Sequence, residues 1–308
     1  MKISVVIPTF NEEESLPELC QSVVDAMRDM HVPFEILFID DGSTDRSLQV
    51  IEDLHNKHKQ VKAISFRKNY GKSEALNEGF RIAMGDIVIT MDADLQDDPK
   101  EIPRLIEMLN NGYDLVSGWK KKRHDPLKKI IPSKLFNFTT ALLTGIRIHD
   151  FNCGLKAYRC DVIKEVPVYG ELHRYLPVLA HWRGYRVGEI IVQHHPRKFG
   201  ITKYGWRRFF SGFFDLLTVL FLTRYRQRPL HLFGFFGLIS FLFGFIISIY
   251  LTILWFQGHP IGNRPLLFLG VLLIIVGMQS FSIGLIGEML ANVRDQSHAP
   301  SVKKTIGI

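Results

Sequence analysis

Cysteine is scarce in this sequence of 308 residues: there are three, an odd number, and no two are spaced as CxxC. A secreted scaffold held together by disulfides is therefore excluded, and the composition fits a reducing compartment. The apolar run near the N-terminus, Ile3 to Ile7, is too short for a signal peptide, so we expect none. Aromatic residues make up 12% of the chain, which excludes a protein that is disordered as a whole.

Two nucleotide-binding signatures are also missing. No predicted strand is followed by GxGxxG, which argues against a dinucleotide-dependent oxidoreductase, and no GxxxxGK[ST] motif occurs, which argues against a P-loop NTPase. The formal net charge of +7 suits an anionic partner. Composition alone leaves three partners open: a nucleic acid, a phosphorylated substrate and an anionic lipid surface.

Charge is nearly absent from two long segments in the last third of the chain. Residues 230–256 contain one basic side chain, His231, and no acidic one, and residues 266–286 contain no charged side chain. At ~1.5 Å per residue, each run is long enough to cross the ~30 Å hydrocarbon core of a bilayer. Two buried helices of a soluble core are the alternative, but core helices rarely stay apolar on every face over such a length. We therefore predict two transmembrane helices, over about 230–256 and 266–288.

Basic residues flank the two predicted spans unevenly. The loop between the spans holds one basic residue, Arg264. Six others lie before the first span or after the second: Arg224, Arg226, Arg228, Arg294, Lys303 and Lys304. By the positive-inside rule, this bias predicts a multi-pass protein of the inner or plasma membrane, with the preceding domain and both termini in the cytoplasm.

Residues 1 to about 200 alternate apolar runs with amphipathic stretches. The predicted elements are strands at 3–8, 34–40, 61–66 and 86–92, with helices near 13–29, 45–58 and 72–84. This alternation predicts an α/β fold whose mostly parallel sheet is covered by helices on both faces. Ligands of such sheets bind beyond the carboxyl ends of the strands, and polar residues cluster there in this chain.

The strongest chemical signal is the carboxylate pair Asp92 and Asp94, at the end of the fourth predicted strand. Inside a buried strand, two carboxylates at i and i+2 would place charge on one face of the sheet. At the strand's end they can turn to solvent and bind a hard divalent cation. The pair predicts Mg²⁺ or Mn²⁺, with diphosphate oxygens completing the coordination shell. A solvated acidic turn is the alternative.

Two further features follow the second and third predicted strands. Asp40 and Asp41 could accept hydrogen bonds from a nucleobase or a ribose. The alternative is that this turn caps the next helix, with Asp45 the more structural residue. Lys72 could contact a phosphate, and an ordinary surface lysine is the alternative.

Seven segments, in this order, carry a resemblance to a known family. They are VVIPTFNEEESL (5–16), FIDDGSTD (38–45), FRKNYGKSEALNEGF (66–80), MDADLQDDP (91–99), HDFNCGLKAYR (149–159), ELHRYLP (171–177) and HHPRKFGITKYGWRRF (194–209). The chain resembles the family 2 glycosyltransferases with a Rossmann-like GT-A fold. Among them it looks most like the polyprenyl-phosphate glycosyltransferases of the dolichol-phosphate mannose synthase and GtrB type, and the two-span tail is similar to the GtrB type.

The resemblance implies roles for individual residues. The predicted nucleotide site comprises Lys72 and the residues that the resemblance implies: Pro8, Phe10, Glu12, Asp40, Asp41, Asp92, Ala93, Asp94 and Gln96. Asp92 and Asp94 would bind the metal and face the diphosphate. Asp150, which opens the DFNCG segment, would lie near the sugar and the acceptor, and these three aspartates are the predicted catalytic residues.

Basic segments point to the second substrate. Residues 119–134 contain seven basic residues against one acid, and residues 197–228 contain eight against one, mixed with aromatic residues. The second pattern predicts an amphipathic juxtamembrane segment over 204–228, with lipid headgroups favoured over RNA as the anion. Four basic residues are predicted to contact the acceptor phosphate: Lys120, Lys134, Arg197 and Lys203.

The activity implied by the resemblance is the inverting transfer of one sugar from a nucleotide sugar to undecaprenyl or dolichyl phosphate. UDP-glucose is the donor that we expect from the GtrB likeness. Because a phosphate acceptor is already ionised near neutral pH, Asp150 is expected to orient groups rather than to remove a proton. The alternatives are a GDP-mannose-dependent dolichol-phosphate mannose synthase, a processive polysaccharide synthase, whose QxxRW signature is missing here, and a non-catalytic binding protein.

The predicted organisation has four parts. They are a GT-A domain (1–203), the juxtamembrane segment (204–228), a transmembrane hairpin (229–290) and a cytoplasmic tail (291–308). The expected partners are the nucleotide sugar, the polyprenyl phosphate, the membrane and a second copy of the chain, and no nucleic acid is expected.

Overall fold

The structure is a computed structural model. It describes residues 1–121, 127–166, 168, 170, 172–196, 198, 229–262 and 264–295. The chain divides into two compact units between Val219 and Leu220. The first contains a mixed sheet with helices, and the second contains two long apolar helices. The predicted segment 204–228 and the end of the predicted tail, 296–308, lie outside the described residues.

The first unit alternates strands and helices as the sequence predicts. Its elements are β1 (Ile3–Thr9), α1 (Leu16–Asp29), β2 (Phe34–Asp40), α2 (Ser47–Lys57), β3 (Val61–Ser65), α3 (Lys72–Ile82), β4 (Ile87–Thr90), a 3₁₀ turn (Pro99–Glu101), α4 (Ile102–Asn110), β5 (Leu115–Trp119), α5 (Leu127–Thr144), β6 (Lys156–Arg159), α6 (Cys160–Glu165), a second 3₁₀ turn (Leu172–Tyr175), α7 (Leu176–Trp182) and β7 (Val187–Ile191). The four predicted strands and three predicted helices are all present, with ends that differ by up to three residues.

The described strands form one seven-stranded sheet in the order β3-β2-β1-β4-β6-β5-β7. Strands β1 to β4 are parallel to one another, β5 is parallel to β7, and β6 runs antiparallel to both β4 and β5. The register places Val5 of β1 opposite Ile36 of β2 and Ile89 of β4. Because β1, β2 and β4 are parallel, their carboxyl ends lie along the same edge. The segments after these three strands, which contain the predicted site, therefore meet there.

Helices cover both faces of the sheet, and each contributes an apolar stripe. On α1 the buried residues recur at helical spacing: Leu16, Leu19, Cys20, Val23 and Met27. On the other face, α3 buries Leu76 and Phe80. Gly79 allows α3 to lie close to the sheet, since a Cβ there would overlap with Val6 Cγ1. The core thus fixes α3, which begins at Lys72, against the central strands.

The second unit is a hairpin of α8 (Pro229–Phe256) and α9 (Pro265–Asp295). Both helices are long and apolar enough to cross a membrane. Only 11% of the most apolar window of each helix is buried, so their apolar side chains face outward, unlike those of a soluble core. The two predicted spans are confirmed as apolar helices, and α9 continues beyond residue 288 to Asp295.

Glycines bring the two helices of the hairpin close together. A Cβ at Gly244 would lie 2.6 Å from the carbonyl oxygen of Gly270, and a Cβ at Gly237 would lie 2.8 Å from that of Gly277. Small residues allow this kind of backbone approach between membrane helices. At the open end, the Glu288 carboxylate accepts the backbone N–H of Leu230, 3.2 Å away, and satisfies a donor in the first turn of α8.

We expect Gly244→Leu to separate the hairpin helices and to destabilise the second unit by about 1–3 kcal/mol through overpacking. Gly262→Leu is the matched control, because nothing lies within 4 Å of a Cβ at that loop position. Thermal unfolding of the two purified variants in the same detergent measures the difference. Equal unfolding temperatures would show that the glycine contact does not hold the hairpin together.

Candidate active site

A cavity of about 210 Å³ opens at the carboxyl ends of β1 and β4. Its lining includes many charged and polar side chains: Lys72, Asp92, Asp94, Gln96, Lys120, Ser133, Asp150, Lys156, His173, Arg174 and His194. Pro8 lines it from β1. A concave site with this density of ionisable groups at the edge of an α/β sheet is where substrate chemistry is expected.

The acidic turn after β4 is fixed by its own side chains. Strand β4 ends at Thr90, so Asp92 and Asp94 lie beyond it, as predicted. Asp94 Oδ1 accepts the backbone N–H of Gln96 at 3.3 Å, and Leu95 adopts the left-handed conformation, with φ +59°. A buried leucine with positive φ is strained, and such strain concentrates at functional sites. The turn is therefore a built feature rather than a solvated loop.

Asp97 anchors this turn from inside the protein. One of its oxygens accepts the backbone N–H of Asp92 at 3.3 Å, and the other lies 2.8 Å from the ammonium of Lys120. The Asp97 side chain is completely buried, so the pair is shielded from water. Burial lowers the pKa of Lys120, but the charge of Asp97 outweighs it and raises that pKa overall. Lys120 stays charged beside the turn.

Asp92 is surrounded by lysines from three elements. Its carboxylate forms an ion pair with Lys72 at the start of α3. Lys120, directly after β5, and Lys156 on β6 also act on it. Burial alone would raise the pKa of Asp92, but Lys72 and Lys120 outweigh burial and hold it well below its usual value. Asp92 is therefore ionised at any physiological pH.

Gly154 leaves room for the Asp92 carboxylate. A Cβ at this position would lie 2.5 Å from Cγ of Asp92, closer than non-bonded atoms can approach. The carbonyl oxygen of Gly154 also accepts the hydroxyl of Thr90 at 2.8 Å, which ties the DFNCG segment to the end of β4. A glycine is therefore required at position 154 for steric reasons, which the sequence did not reveal.

Asp150 reaches the same cavity from the start of the DFNCG segment. Asp150 is 1% exposed, and one of its carboxylate oxygens accepts the backbone N–H of Asn152 at 3.1 Å. The HHP segment also joins the site, since His195 N–H donates to the Gln96 carbonyl at 2.9 Å. The predicted residues Pro8, Lys72, Asp92, Asp94, Gln96, Lys120 and Asp150 are therefore brought together in one cavity.

The other predicted nucleotide residues lie outside the described lining of the cavity: Phe10, Glu12, Asp40, Asp41 and Ala93. Both aspartates hold loops. Asp41 accepts hydrogen bonds from the backbone N–H groups of Tyr70 and Gly71. Asp40 accepts one from the backbone N–H of Ser43 and one from the hydroxyl of Ser65. Asp45 accepts the backbone N–H of Ser47 at the start of α2, a structural role as predicted, although the N-cap residue of that helix is Arg46. Nucleotide binding by these five residues stays a prediction.

The four predicted acceptor-phosphate residues are not gathered in one place by the described structure. Lys120 lines the cavity, where Asp97 holds it. Lys134 is exposed on α5. Arg197 and Lys203 lie outside the described residues.

Sequence reasoning missed several cavity residues, among them Lys156 on β6, and His173 and Arg174 on the second 3₁₀ turn. All three lie in segments that carry the family resemblance, GLKAYR and ELHRYLP. The one sequence signal that could have pointed to Lys156 is that a lysine lies in a short, mostly apolar segment. Its place in the site could not be predicted, because Lys156 lies opposite Thr90 of β4 through a pairing between distant segments.

The acidic turn suits a hard divalent cation. Asp92 and Asp94 offer carboxylate oxygens and Gln96 an amide oxygen, the ligand type that Mg²⁺ and Mn²⁺ prefer. Among the described residues there is no group of three or more His, Cys, Asp or Glu side chains arranged for a metal. A site with few protein ligands fits a cation that keeps positions for water and substrate phosphates, so the residues present fit this cofactor.

Comparison with known proteins identifies the class of enzyme to which this site belongs. The family model described as glycosyl transferase family 2 matches residues 4–167, and the chain belongs to this family of sugar-transferring enzymes. The matched region contains the Asp92–Asp94 turn, Lys72 and Asp150. The predicted family is confirmed.

Two relatives match nearly the whole chain. The dodecaprenyl-phosphate galacturonate synthase of Rhizobium johnstonii is 38% identical over 297 residues, which cover 94% of this chain and 88% of that protein. The undecaprenyl-phosphate 4-deoxy-4-formamido-L-arabinose transferase of Pectobacterium atrosepticum is 36% identical over 294 residues, with the same two shares. The resemblance to polyprenyl-phosphate glycosyltransferases is thus confirmed.

A solved structure supports the fold. The glucosyl-3-phosphoglycerate synthase of Mycobacterium tuberculosis in complex with Mn²⁺, UDP and phosphoglyceric acid has a TM-score of 0.51 and 20% identity to this chain. The match covers 71% of this chain and 77% of that one. At this identity the likeness concerns the fold alone, and it confirms the GT-A class predicted from the sequence.

Proposed function

We propose that the protein transfers one sugar from a nucleotide sugar to a membrane polyprenyl phosphate, with inversion at the anomeric carbon. The observation that carries this proposal is the cavity at the end of β4, where Asp92, Asp94 and three lysines converge, in a chain that also has two apolar helices of membrane length. The relatives named for polyprenyl-phosphate sugars support the same acceptor. A donor with a diphosphate and an acceptor with a phosphate both suit such a site.

The residues of the cavity divide the work. Asp94, with Asp92 and the amide oxygen of Gln96, would hold Mg²⁺ or Mn²⁺. When bound, the cation neutralises charge that develops on the departing nucleoside diphosphate. Lys72 lies within reach of the same phosphates and adds a positive charge from α3. Asp97 and Gly154 keep the acidic turn in position.

No residue has to act as an obligatory base in this reaction. The attacking atom is an oxygen of the acceptor phosphate, which is ionised near neutral pH, and it forms a bond to the anomeric carbon as the bond to the diphosphate breaks. Asp150 lies in the cavity with one oxygen held by a backbone N–H, which suits orienting a substrate hydroxyl. Lys134, Arg197 and Lys203 are proposed to contact the acceptor phosphate, as is Lys120.

We propose that the first unit and both termini lie on the cytoplasmic side of an inner or plasma membrane. The support is the excess of basic residues before the first span and after the second, compared with the single Arg264 between them. A nucleotide sugar made in the cytoplasm would then reach the site directly. The donor remains a proposal: UDP-glucose from the sequence, with the uronic acid and amino-sugar donors suggested by the relatives' names.

A donor and metal screen tests the function. The purified full chain in vesicles that contain undecaprenyl phosphate is incubated with labelled UDP-glucose, UDP-galacturonate, UDP-N-acetylglucosamine or GDP-mannose. We expect label from one donor in the organic phase, and we expect EDTA to lower that transfer by about 100-fold or more, since the cation supplies several kcal/mol. Label in a polymer would favour a processive synthase, and binding without transfer would favour a non-catalytic role.

A further inference from the structure

A second set of basic residues lines the cavity beside Lys72 and Lys120. Lys156 comes from β6, and His173 and Arg174 come from the 3₁₀ turn before α7. The residue Lys156 is 4% exposed, although its strand neighbours on both sides, β4 and β5, are buried and apolar for most of their length. A buried ammonium is costly unless it is paired, and an apolar side chain of similar size would avoid that cost. The Nζ of Lys156 donates to the backbone carbonyl oxygen of Cys153, a neutral acceptor that does not offset the charge of an ammonium.

The charges of the cavity do not cancel once the metal site is taken into account. Lys72 pairs with Asp92 and Lys120 pairs with Asp97. Asp94 is assigned to the cation and offsets one of its two charges. Lys156 and Arg174 lie with one further acid among the described lining residues, Asp150. With the cation bound and no substrate present, the cavity therefore carries a net positive charge, which favours anionic substrate groups.

His173 adds a neutral donor to this group. Ser73 Oγ lies 3.3 Å from the backbone N–H of His173, which donates to it, and 2.8 Å from the Nδ1 atom of the same residue. In the tautomer whose Nδ1 accepts the serine hydroxyl, the ring proton lies on Nε2. Burial, Lys72, Arg174 and Lys156 hold the pKa of His173 well below its usual value, so the ring is neutral with an N–H available at Nε2.

We infer that Lys156 and the Nε2–H of His173 bind an oxyanion of a substrate, with Arg174 contributing positive charge. The ligand chemistry is a carboxylate or a phosphate, which present the same acceptor oxygens to an ammonium and an imidazole N–H. Two sources can supply it: the carboxylate of a uronic acid donor or the phosphate of the lipid acceptor. The inference rests on the proposed function, because the oxyanion belongs to one of its two substrates, and it makes Lys156 a residue that determines substrate specificity.

Direct binding to the full chain in detergent tests the inference and separates the two sources. The probes are UDP-galacturonate, UDP-galactose, which has a hydroxymethyl group in place of the carboxylate, and geranyl phosphate, a short soluble analogue of the acceptor. We compare the parent with Lys156→Met, and with Lys164→Met as the matched control, an exposed lysine on α6 outside the described cavity lining. Loss of a charged hydrogen bond weakens binding by about 10- to 100-fold.

Each source predicts a different pattern in Lys156→Met. If the oxyanion is the sugar carboxylate, the affinity for UDP-galacturonate falls 10- to 100-fold, while the affinities for UDP-galactose and geranyl phosphate change less than twofold. If the oxyanion is the acceptor phosphate, the affinity for geranyl phosphate falls and the affinities for both nucleotide sugars stay the same. Lys156→Arg should keep most of the affinity, and His173→Phe should weaken the same probe as Lys156→Met.

The inference is overturned if Lys156→Met, folded by its thermal unfolding curve, binds all three probes as Lys164→Met does. It is also overturned if all three probes weaken equally in Lys156→Met and in Lys156→Arg, since the lysine would then be structural. A chain that binds the probes through Lys156 but makes no lipid-linked sugar would contradict the proposed function and leave this inference standing.

Discussion

Replacing Asp94 with asparagine is expected to reduce sugar transfer by about 1,000-fold or more, while the protein stays folded in the membrane. Asparagine keeps the shape of the side chain, and its Oδ1 can still accept the backbone N–H of Gln96. What it loses is the negative charge that would hold the cation, and metal catalysis is worth several kcal/mol, about tenfold in rate for each 1.4 kcal/mol. Transfer of labelled sugar to undecaprenyl phosphate measures the loss.

The matched control is Asp53→Asn, which removes the same charge from an exposed position on α2. It should transfer sugar at the parent rate. Mn²⁺ titrations in the presence of UDP, followed by the electron paramagnetic resonance of free Mn²⁺, should show weaker binding to Asp94→Asn than to Asp53→Asn. Normal turnover in Asp94→Asn would remove Asp94 from the metal site.

Replacing Gly154 with alanine is expected to lower kcat/KM by about 100-fold, although the residue bears no functional group. The added methyl group would lie 2.5 Å from Cγ of Asp92, so the carboxylate has to move. Displacement of about 1 Å in a catalytic group can cost about 100-fold. Because the alanine would act through Asp92, its effect should shrink when Asp92 is already asparagine, and a double-mutant cycle measures this coupling.

The expected coupling energy exceeds about 1 kcal/mol, as is typical for residues in contact. The unfolding temperature of Gly154→Ala serves as the check on structure. If the two substitutions are additive, Gly154 does not act by positioning Asp92. A loss of activity that follows the loss of folded protein would lead to the same conclusion.

Much of the first unit could be predicted because its pattern is local. Strands β1 to β4 are apolar runs between amphipathic helices, so their type and order follow from the sequence. The predicted spans were equally clear, since length and lack of charge suffice. Strands β5, β6 and β7 were not predicted. Strand β6 has four residues, KAYR, including a lysine and an arginine, and it becomes a strand by inserting between β4 and β5.

The candidate site likewise contains some features that could be predicted from the sequence and others that could not. Asp92, Asp94 and Lys72 could be predicted because they directly follow a strand or begin a helix at the carboxyl edge of a parallel sheet. The Asp97–Lys120 pair, the contact between Gly154 and Asp92, and the position of Lys156 could not. Each joins segments that are 20 or more residues apart in the chain and meet through the pairing of β4, β5 and β6.

The structure also sharpens the two interpretations of the turn after β2. Asp40, Asp41 and Asp45 each accept backbone N–H groups, so all three have a structural role. Asp41 holds the loop that leads into α3, through Tyr70 and Gly71, and so helps to place Lys72 next to Asp92. A contribution to nucleotide binding and this structural role are compatible in the same side chain.

The chemical structure of the product tests the central claim most directly. The full chain is incubated with its preferred nucleotide sugar, undecaprenyl phosphate and Mn²⁺, and the lipid product is analysed by mass spectrometry and by phosphorus and proton NMR. We predict one sugar per lipid, joined through its anomeric carbon to a single phosphate, with the anomeric configuration opposite to that of the donor and one nucleoside diphosphate released per product. A sugar diphosphate lipid, a polymer, or nucleoside diphosphate released together with free sugar would contradict the account.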